Sequence, residues 1–200
     1  MAVNLSKGQK ISLEKESGGS GLSQVIMGLG WDAKKLTVAK RGLFGSKTEQ
    51  VDQEIDLDAS CLLFDEGKNL LDVVWFRQLQ SKDGSIRHTG DNRTGAGDGD
   101  DEQIIVNLTT VPAVVKYLVF TVNSFTGQTF EQIENAFCRI ANGKNGAEIA
   151  RYNLSGGGPH TAQIMAKLYR HNNEWKMHAI GENASGRTFL DMLPLITSQL

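Results

Sequence analysis

The sequence predicts an all-β fold, an antiparallel β-sandwich with short helical pieces that include a C-terminal helix. Its apolar stretches are short and rich in Val, Ile and Phe, the residues that favour strands. Several stretches alternate between polar and apolar residues, and clusters of Gly, Asn, Asp and Ser separate them. Short strands at such regular spacing favour an antiparallel sandwich over a parallel βαβ sheet.

Ten stretches are predicted as strands. In chain order they are ISLEK, SQVIMGLGW, IDLDASCLLF, LLDVVWF, IIVNL, VVKYLVFTVN, NAFCRIA, AEIARYNL, TAQIMAKLYR and WKMHAIGE. Three turn signals lie between them, namely DEGKN at 65–69, KDGS at 82–85 and GKNG at 143–146. Each turn supplies residues that tolerate the positive φ that tight hairpins require.

Two helical pieces are predicted beside the strands. GQTFEQIENAF contains a short helical turn around Phe130 to Ile133. RTFLDMLPLITSQL predicts a C-terminal amphipathic helix that is interrupted or kinked at Pro194, because the proline ring removes a backbone donor. Both pieces are expected to cap a β core.

Length, charge and cysteine content limit the possible classes of protein. A chain of 200 residues, 40% of them hydrophobic, can bury one core, so a single domain over residues 1–200 is expected. A net charge of -2 gives no general reason to bind nucleic acid or an anionic membrane. Neither a secretion signal nor an apolar stretch of about 18 residues is present. We therefore expect a cytoplasmic protein without membrane insertion, in which Cys61 and Cys138 are buried thiols.

One segment departs from the strand pattern. The run KKLTVAKRGLFGSK at 34–47 carries five basic residues and no acidic one, and we predict a basic flexible loop over about residues 33–53. It is either a solvated surface loop or an interaction arm with Leu43 and Phe44 at its tip. Such an arm can dock on an acidic partner or on the acidic loop of a neighbouring copy. The sequence does not choose between these interpretations.

The stretch GDNRTGAGDGDDE at 90–102 predicts a calcium site. It crowds five carboxylates into thirteen residues, where each like-charge pair at about 6 Å costs about 3 kcal/mol. Calcium accepts six to eight oxygen ligands, and glycines let backbone carbonyls turn toward the ion. The loop is not an EF-hand, because Ala96 takes the place of the required glycine. The predicted ligands here are Asp91, Asn92, Gly97, Asp98, Asp100, Asp101 and Glu102.

A second group of carboxylates lies in IDLDAS. Asp56 and Asp58 are two residues apart, which places both on one face of a strand. They either supply further ligands to the calcium site or lie solvated on an outer face, and the composition is compatible with both.

Several longer motifs run along almost the whole chain. They are GLGWD at 28–32, DLDAS at 56–60, HTGDNRTGAGDGDDE at 88–102 and FTVNSFTGQTFEQIENAFCRIAN at 120–142, with EIARYNL, KLYRH and GRTFLDM further on. Together they resemble the TerD family of tellurium-resistance and stress-response proteins. The resemblance implies a compact, calcium-binding β-sandwich, encoded among genes for resistance to tellurite, phage and some colicins, whose partners are other proteins of the same resistance system.

The resemblance also assigns ligands. It maps the family's acidic loop onto Asp91, Asn92, Asp98, Asp100, Asp101 and Glu102, and the family's DLDAS segment onto Asp56 and Asp58. The family's loop commonly reads GEGEGDDE. Ala96 replaces its first glutamate and Asp98 its second, so one potential ligand is lost while the GDDE core is intact.

Two classes of function remain open. The first is a calcium-binding protein whose ion orders the acidic loop and so supports protein interactions. The alternative is a metal-dependent hydrolase or transferase that uses the acidic-loop metal as a Lewis acid. We expect the first and no enzymatic activity, because the four histidines lack paired metal spacing and no Ser or Cys stands beside a recognisable base.

Overall fold

The computed structural model describes residues 2–19, 22–33, 35–42, 45–52, 55–92, 94, 99–154, 158–172 and 174–200. It confirms the predicted class, since the described residues form two six-stranded, mainly antiparallel sheets, a separate two-stranded sheet and short helices. Sheet 1 has the order β1 (Val3–Asn4), β12 (Glu148–Asn153), β11 (Ile133–Asn142), β3 (Gln24–Ala33), β9 (Glu102–Asn107) and β8 (Ile86–His88). Sheet 2 has the order β2 (Lys10–Ser12), β14 (Glu174–Ala184), β13 (Ala162–His171), β10 (Tyr117–Ser124), β6 (Leu57–Phe64) and β7 (Leu70–Val74). The one parallel pair among these strands joins β1 to β12.

The main core lies between the two sheets. The alternation along strand β9 shows how this core is built. Ile104 and Val106 are fully buried, whereas Ile105 and Asn107 are half-buried. Strand β6 is buried along its whole length. Its side chains therefore pack on both faces of sheet 2, which requires a second apolar layer outside that sheet.

The C-terminal segment supplies this second layer. A 3-10 helix at Phe189–Met192 and the α-helix α2 at Leu193–Ser198 pack against Leu62 and Phe64 of β6. Pro194 lies in the first turn of α2, where its missing N–H costs little. The predicted C-terminal helix is confirmed, and so is the short helical turn, a 3-10 helix at Phe130–Gln132. No helix in the described part of the chain is long and apolar enough to cross a membrane.

ISLEK is only partly a strand. β2 ends at Ser12, and a single helical turn, α1, follows at Leu13–Glu16. The Ser12 side chain accepts a hydrogen bond from the Lys15 backbone N–H and so caps this turn. The serine before the acidic LEKE run carried the signal that the strand prediction overlooked.

The basic segment forms a β-hairpin, so the prediction of a loop over residues 33–53 is wrong. Strands β4 (Lys35–Gly42) and β5 (Gly45–Asp52) pair antiparallel from end to end. This arrangement is favoured by the strand formers Thr37 and Val38 and by the glycines that flank the turn. The prediction of a loop gave more weight to the high density of basic residues. The proposed tip residues, Leu43 and Phe44, lie outside the described residues.

Both cysteines are free thiols and fully buried, as predicted. Burial raises the pKa of the Cys138 thiol to about 12, and burial together with the Asp72 carboxylate holds the pKa of Cys61 higher still. Neither sulfur is therefore a thiolate nucleophile at neutral pH.

Candidate metal centre

Three aspartates from two sheets meet at one end of the sandwich. Asp56 precedes β6, Asp58 lies within it in sheet 2, and Asp91 follows β8 of sheet 1. One carboxylate oxygen from each lies within 4.8 Å of the other two. We call these three residues the aspartate triad. Asp58 is buried and Asp56 half-buried beside Asp91, so the two do not lie on a solvated outer face.

Asp58 is the buried member of the triad. Asp58 is only 5% exposed, and among the described residues its Oδ2 atom has no hydrogen-bond partner. Burial, followed by the charges of Glu102, Asp56 and Asp91, raises the pKa of Asp58 from 3.8 to about 8. A buried oxygen without a donor, surrounded by negative charge, is costly unless a proton or a cation neutralises it. The triad therefore has the chemistry of a cation ligand set.

Asp100, unlike the three aspartates of the triad, forms an ion pair with Arg139. Its two oxygens accept hydrogen bonds from Nε and Nη2 of Arg139, at 2.6 and 2.8 Å, and Gln103 Nε2 donates to Oδ2 at 3.0 Å. Arg139 and Gln103 flank Gly28 in the register of sheet 1. A Cβ on Gly28 would overlap the Asp100 carboxylate, so the glycine makes room for the loop to fold over the sheet.

Asp101 attaches the acidic loop to strand β3. Its Oδ2 accepts the Trp31 backbone N–H at 2.9 Å, and its Oδ1 accepts from Nδ2 of Asn92 at 2.9 Å. The Asn92 amide oxygen accepts the Thr94 backbone N–H at 3.1 Å, which closes an Asx turn. Burial raises the pKa of Asp101, and the hydrogen bond from Trp31 opposes that effect.

Glu102 joins the acidic loop to β6. It is 1% exposed, and its Oε2 accepts the Ala59 backbone N–H at 2.7 Å while Oε1 accepts the Asn92 N–H at 3.2 Å. His88 Nδ1 accepts the Gly90 N–H at 3.1 Å, so the proton of a neutral ring is on Nε2, which lies 3.3 Å from Glu102 Oε2. Glu102 thereby holds the segments that carry Asp58 and Asp91 against each other.

Comparison with known proteins identifies the family. Residues 1–193 match the TerD domain. The chain belongs to the TerD family. It is 50% identical over 190 residues to the tellurium resistance protein TerZ of Serratia marcescens, which covers 95% of this chain and 94% of that protein. It is 40% identical to TerD of the same organism and 39% identical to general stress protein 16U of Bacillus subtilis (strain 168), each over 93% of both chains.

The fold of this TerD-family chain also occurs in a solved structure. A homologue of the telluride resistance protein TerD from Streptomyces coelicolor A3(2) superposes with a TM-score of 0.67 and 20% identity, over 86% of this chain and 96% of that one. At that identity the likeness supports the fold alone.

The predicted ligands of the TerD-family chain fall into three groups. The structure brings Asp56, Asp58 and Asp91 together as the triad. Asp100, Asp101, Asn92 and Glu102 hold the acidic loop in place through the hydrogen bonds described above. Gly97 and Asp98 lie outside the described residues, and their predicted roles remain predictions.

Two residues important for this site in the TerD-family chain were not predicted. Arg139 neutralises Asp100, and Gly28 provides the space for it. The sequence held a signal for the glycine, because Gly28 and Gly30 are two apart on a strand and so lie on one face. A Cβ on Gly30 would overlap the Gly99 carbonyl oxygen and the Phe137 ring. No local signal pointed to Arg139, which reaches Asp100 only through the pairing of β11 with β3.

Proposed function

We propose that this chain is a cytoplasmic calcium-binding protein of the tellurium-resistance and stress-response type. The observation that carries the proposal is the aspartate triad, in which the buried Asp58 Oδ2 meets no hydrogen-bond donor in the part of the chain that the structure describes. The names of the relatives, tellurium resistance proteins and a general stress protein, support the cellular role. Two buried free thiols support a reducing compartment.

Calcium is the ion that the donor atoms favour. The triad offers only carboxylate oxygens, which suit hard cations, whereas zinc and copper sites are built on histidine and cysteine. His88, the histidine nearest the loop, is fully buried against Glu102. Calcium also accepts backbone carbonyls in irregular geometry, and the sequence has a glycine-rich stretch after Asp91.

The bound ion joins the two sheets. Asp58 belongs to sheet 2, and Asp91 lies on the loop that leaves sheet 1. An ion held by both replaces their mutual repulsion with attraction and fixes the acidic loop. The ordered loop then presents a defined surface to protein partners, which we place in the same resistance system.

We propose a binding protein rather than an enzyme. The triad offers carboxylate oxygens alone, and in the sequence no Ser or Cys stands beside a recognisable base. Both observations support a metal that organises structure over one that activates a substrate.

Calcium is expected to stabilise the folded chain. At a calcium concentration about 100 times Kd, mass action adds about 2.7 kcal/mol, which raises the Tm of a chain of this size by roughly 5–10 °C. Calorimetric titration of the metal-free protein and melting curves with and without chelator measure both effects. Absence of binding heat together with identical melting curves would contradict the proposal. Magnesium at equal concentration is the matched control and should raise the Tm less.

Calcium affinity is expected to increase with pH. Asp58, with a pKa raised to about 8, must lose its proton to bind the ion. The apparent affinity should therefore rise about tenfold per pH unit below 8 and level off above it. Titrations between about pH 6 and 9 test this, and binding would release close to one proton per ion at the acidic end. An affinity that stays constant over this range would contradict the raised pKa of Asp58.

A further inference from the structure

Three basic residues stand side by side on neighbouring strands of sheet 2. Lys10 of β2 pairs with His178 of β14, and His178 pairs in turn with Lys167 of β13. Their strand neighbours Ile11 and Met177 belong to the core between the two sheets. Because alternate residues of a strand point to opposite faces, the three basic side chains lie on the outer face of sheet 2. We call Lys10, His178 and Lys167 the basic row.

Two further lysines border the basic row. Lys176 lies two residues before His178 on β14 and so on the same face, and Lys68 lies on the turn between β6 and β7. Burial, followed by the charges of Lys10 and Lys68, lowers the pKa of Lys167. Burial, followed by the charges of Lys167 and Lys10, lowers the pKa of His178. The positive charges therefore converge on the two middle strands.

No carboxylate neutralises these charges in the described part of the chain. Lys7, by contrast, forms an ion pair with Glu182 at 2.9 Å, whereas none of the four lysines in or beside the basic row pairs with a described carboxylate. Glu174, two residues before Lys176 on β14, accepts a hydrogen bond from the Ser12 hydroxyl at 3.2 Å. Like charges at directly opposite positions of a sheet are destabilising, so an anion from outside would stabilise this face.

The middle of the basic row has donors available for such an anion. Nδ1 of His178 is buried and meets no hydrogen-bond partner among the described residues. Nζ of Lys167 donates to the Gln199 carbonyl and lies 5.6 and 5.9 Å from the ring centres of Tyr117 and Tyr169. These contacts hold the ammonium group in place and use one of its three donors.

We propose that the basic row binds a compact oxyanion with two negative charges, a phosphate group that is either free or part of a phosphomonoester. Lys167 and the protonated ring of His178 donate hydrogen bonds to its oxygens, and the charge of Lys10 adds to the attraction. Hydrogen bonds between ionised partners are the strong ones, and a phosphate accepts them from several directions. The site shares no residue with the aspartate triad and so goes beyond the proposed calcium function.

A compact anion fits this face better than a nucleic acid or a membrane does. Lys167 and His178 are half-buried, so a small anion reaches their nitrogen atoms, whereas a broad surface meets only the exposed Lys10 and Lys68. An extended polyanion would also be repelled by the rest of a chain whose net charge is -2.

Titration of the full chain with inorganic phosphate tests the proposal. In chelator, with chloride keeping the ionic strength constant, we expect a saturable NMR shift of the His178 ring. Lys167→Gln should weaken binding at least about tenfold, because it removes a charged donor. Lys10→Gln, at an exposed position, should cause a smaller loss. Lys144→Gln, on an exposed turn, makes the same charge change away from the row and should leave the affinity unaltered.

A second ligand distinguishes the two sources of phosphate. Phenyl phosphate, a phosphomonoester, should shift the same His178 signal in the same experiment. Tighter binding than inorganic phosphate would identify an ester as the ligand, with the rings of Tyr117 and Tyr169 beside its organic part. Equal or weaker binding would identify the free anion.

The pH dependence of sulfate binding tests the role of His178. Sulfate keeps its charge near neutral pH, so a change in affinity reports on the protein. The bound dianion favours the protonated ring, and affinity should rise as the pH falls from about 8 to about 5.5. His178→Gln should remove most of this rise, and His171→Gln, at an exposed histidine, should keep it. The described groups that face the ring are Lys10 from β2, Lys167 and Tyr169 from β13, and Lys176 and Glu174 from its own strand.

Three results would overturn the proposal. They are the absence of a saturable shift with either phosphate, an unchanged affinity in Lys167→Gln and Lys10→Gln, and binding to anionic vesicles or an oligonucleotide without binding of phosphate. Melting curves establish that each variant is folded. All measurements are made in chelator, so their outcome does not depend on the calcium function.

Discussion

Asp58→Asn is expected to lower calcium affinity at least about 100-fold, the largest effect of any single substitution in the triad. Asp58 is its buried member, and the amide removes the negative charge while keeping the shape of the side chain. Affinity at calcium sites follows the charge and number of the ligands, and even residues outside the coordination sphere change metal affinity by about 10- to 100-fold. Calorimetric titration at neutral pH measures the loss.

The same substitution is expected to stabilise the metal-free protein. The pKa of Asp58 is raised in the folded state, so its contribution to stability is fully present below about pH 4 and lost as the pH rises to about 8. The amide side chain of the variant does not titrate, and its advantage in chelator should therefore grow across that range. Glu66→Gln, at a side chain 88% exposed, is the matched control and should change neither quantity. A variant that binds calcium as wild type does would exclude Asp58 as a ligand, and one that gains no relative stability with pH would contradict the raised pKa of Asp58.

Glu102→Ala is expected to reduce the free energy of unfolding in chelator by about 2 to 4 kcal/mol. It leaves the buried Ala59 N–H without an acceptor and frees the Asn92 N–H, and an unsatisfied buried donor costs about 1 to 3 kcal/mol. Denaturant unfolding measures the change.

A second variant separates hydrogen bonding from charge at this position. Glu102→Gln keeps one acceptor oxygen and removes the negative charge that raises the pKa of Asp58, so it should lose less stability than the alanine variant. If Glu102→Ala stays within about 0.5 kcal/mol of wild type, as surface changes do, Glu102 does not hold the loop to β6.

The sequence was sufficient to predict the strands and part of the site because their signals are local. Period-two alternation identified most strands, and the two-residue spacing of Asp56 and Asp58 placed both on one face. The crowded charge of 90–102 identified the loop that contributes Asp91. These signals depend on neighbours a few residues apart and do not require knowledge of the sheet order.

The division of the acidic residues could not be predicted, because it depends on strand pairing. Asp100 was predicted as a ligand, but it pairs with Arg139, which lies 39 residues further along the chain. Glu102 faces the backbone of Ala59 only because β9 and β6 approach each other across the sandwich. The hairpin was not predicted for a different reason. The five basic residues at 34–47 indicated a solvated loop, and the strand formers Thr37 and Val38 were a weaker signal.

We propose that a calcium ion is held by Asp56, Asp58 and Asp91. A crystal structure of the full chain grown with calcium, with anomalous difference maps, tests it most directly. We expect an anomalous peak within about 2.3–2.6 Å of oxygens from all three aspartates, with Asp100 still paired to Arg139. A peak coordinated by Asp100 and Asp101 instead, or no peak at the triad at saturating calcium, would contradict it.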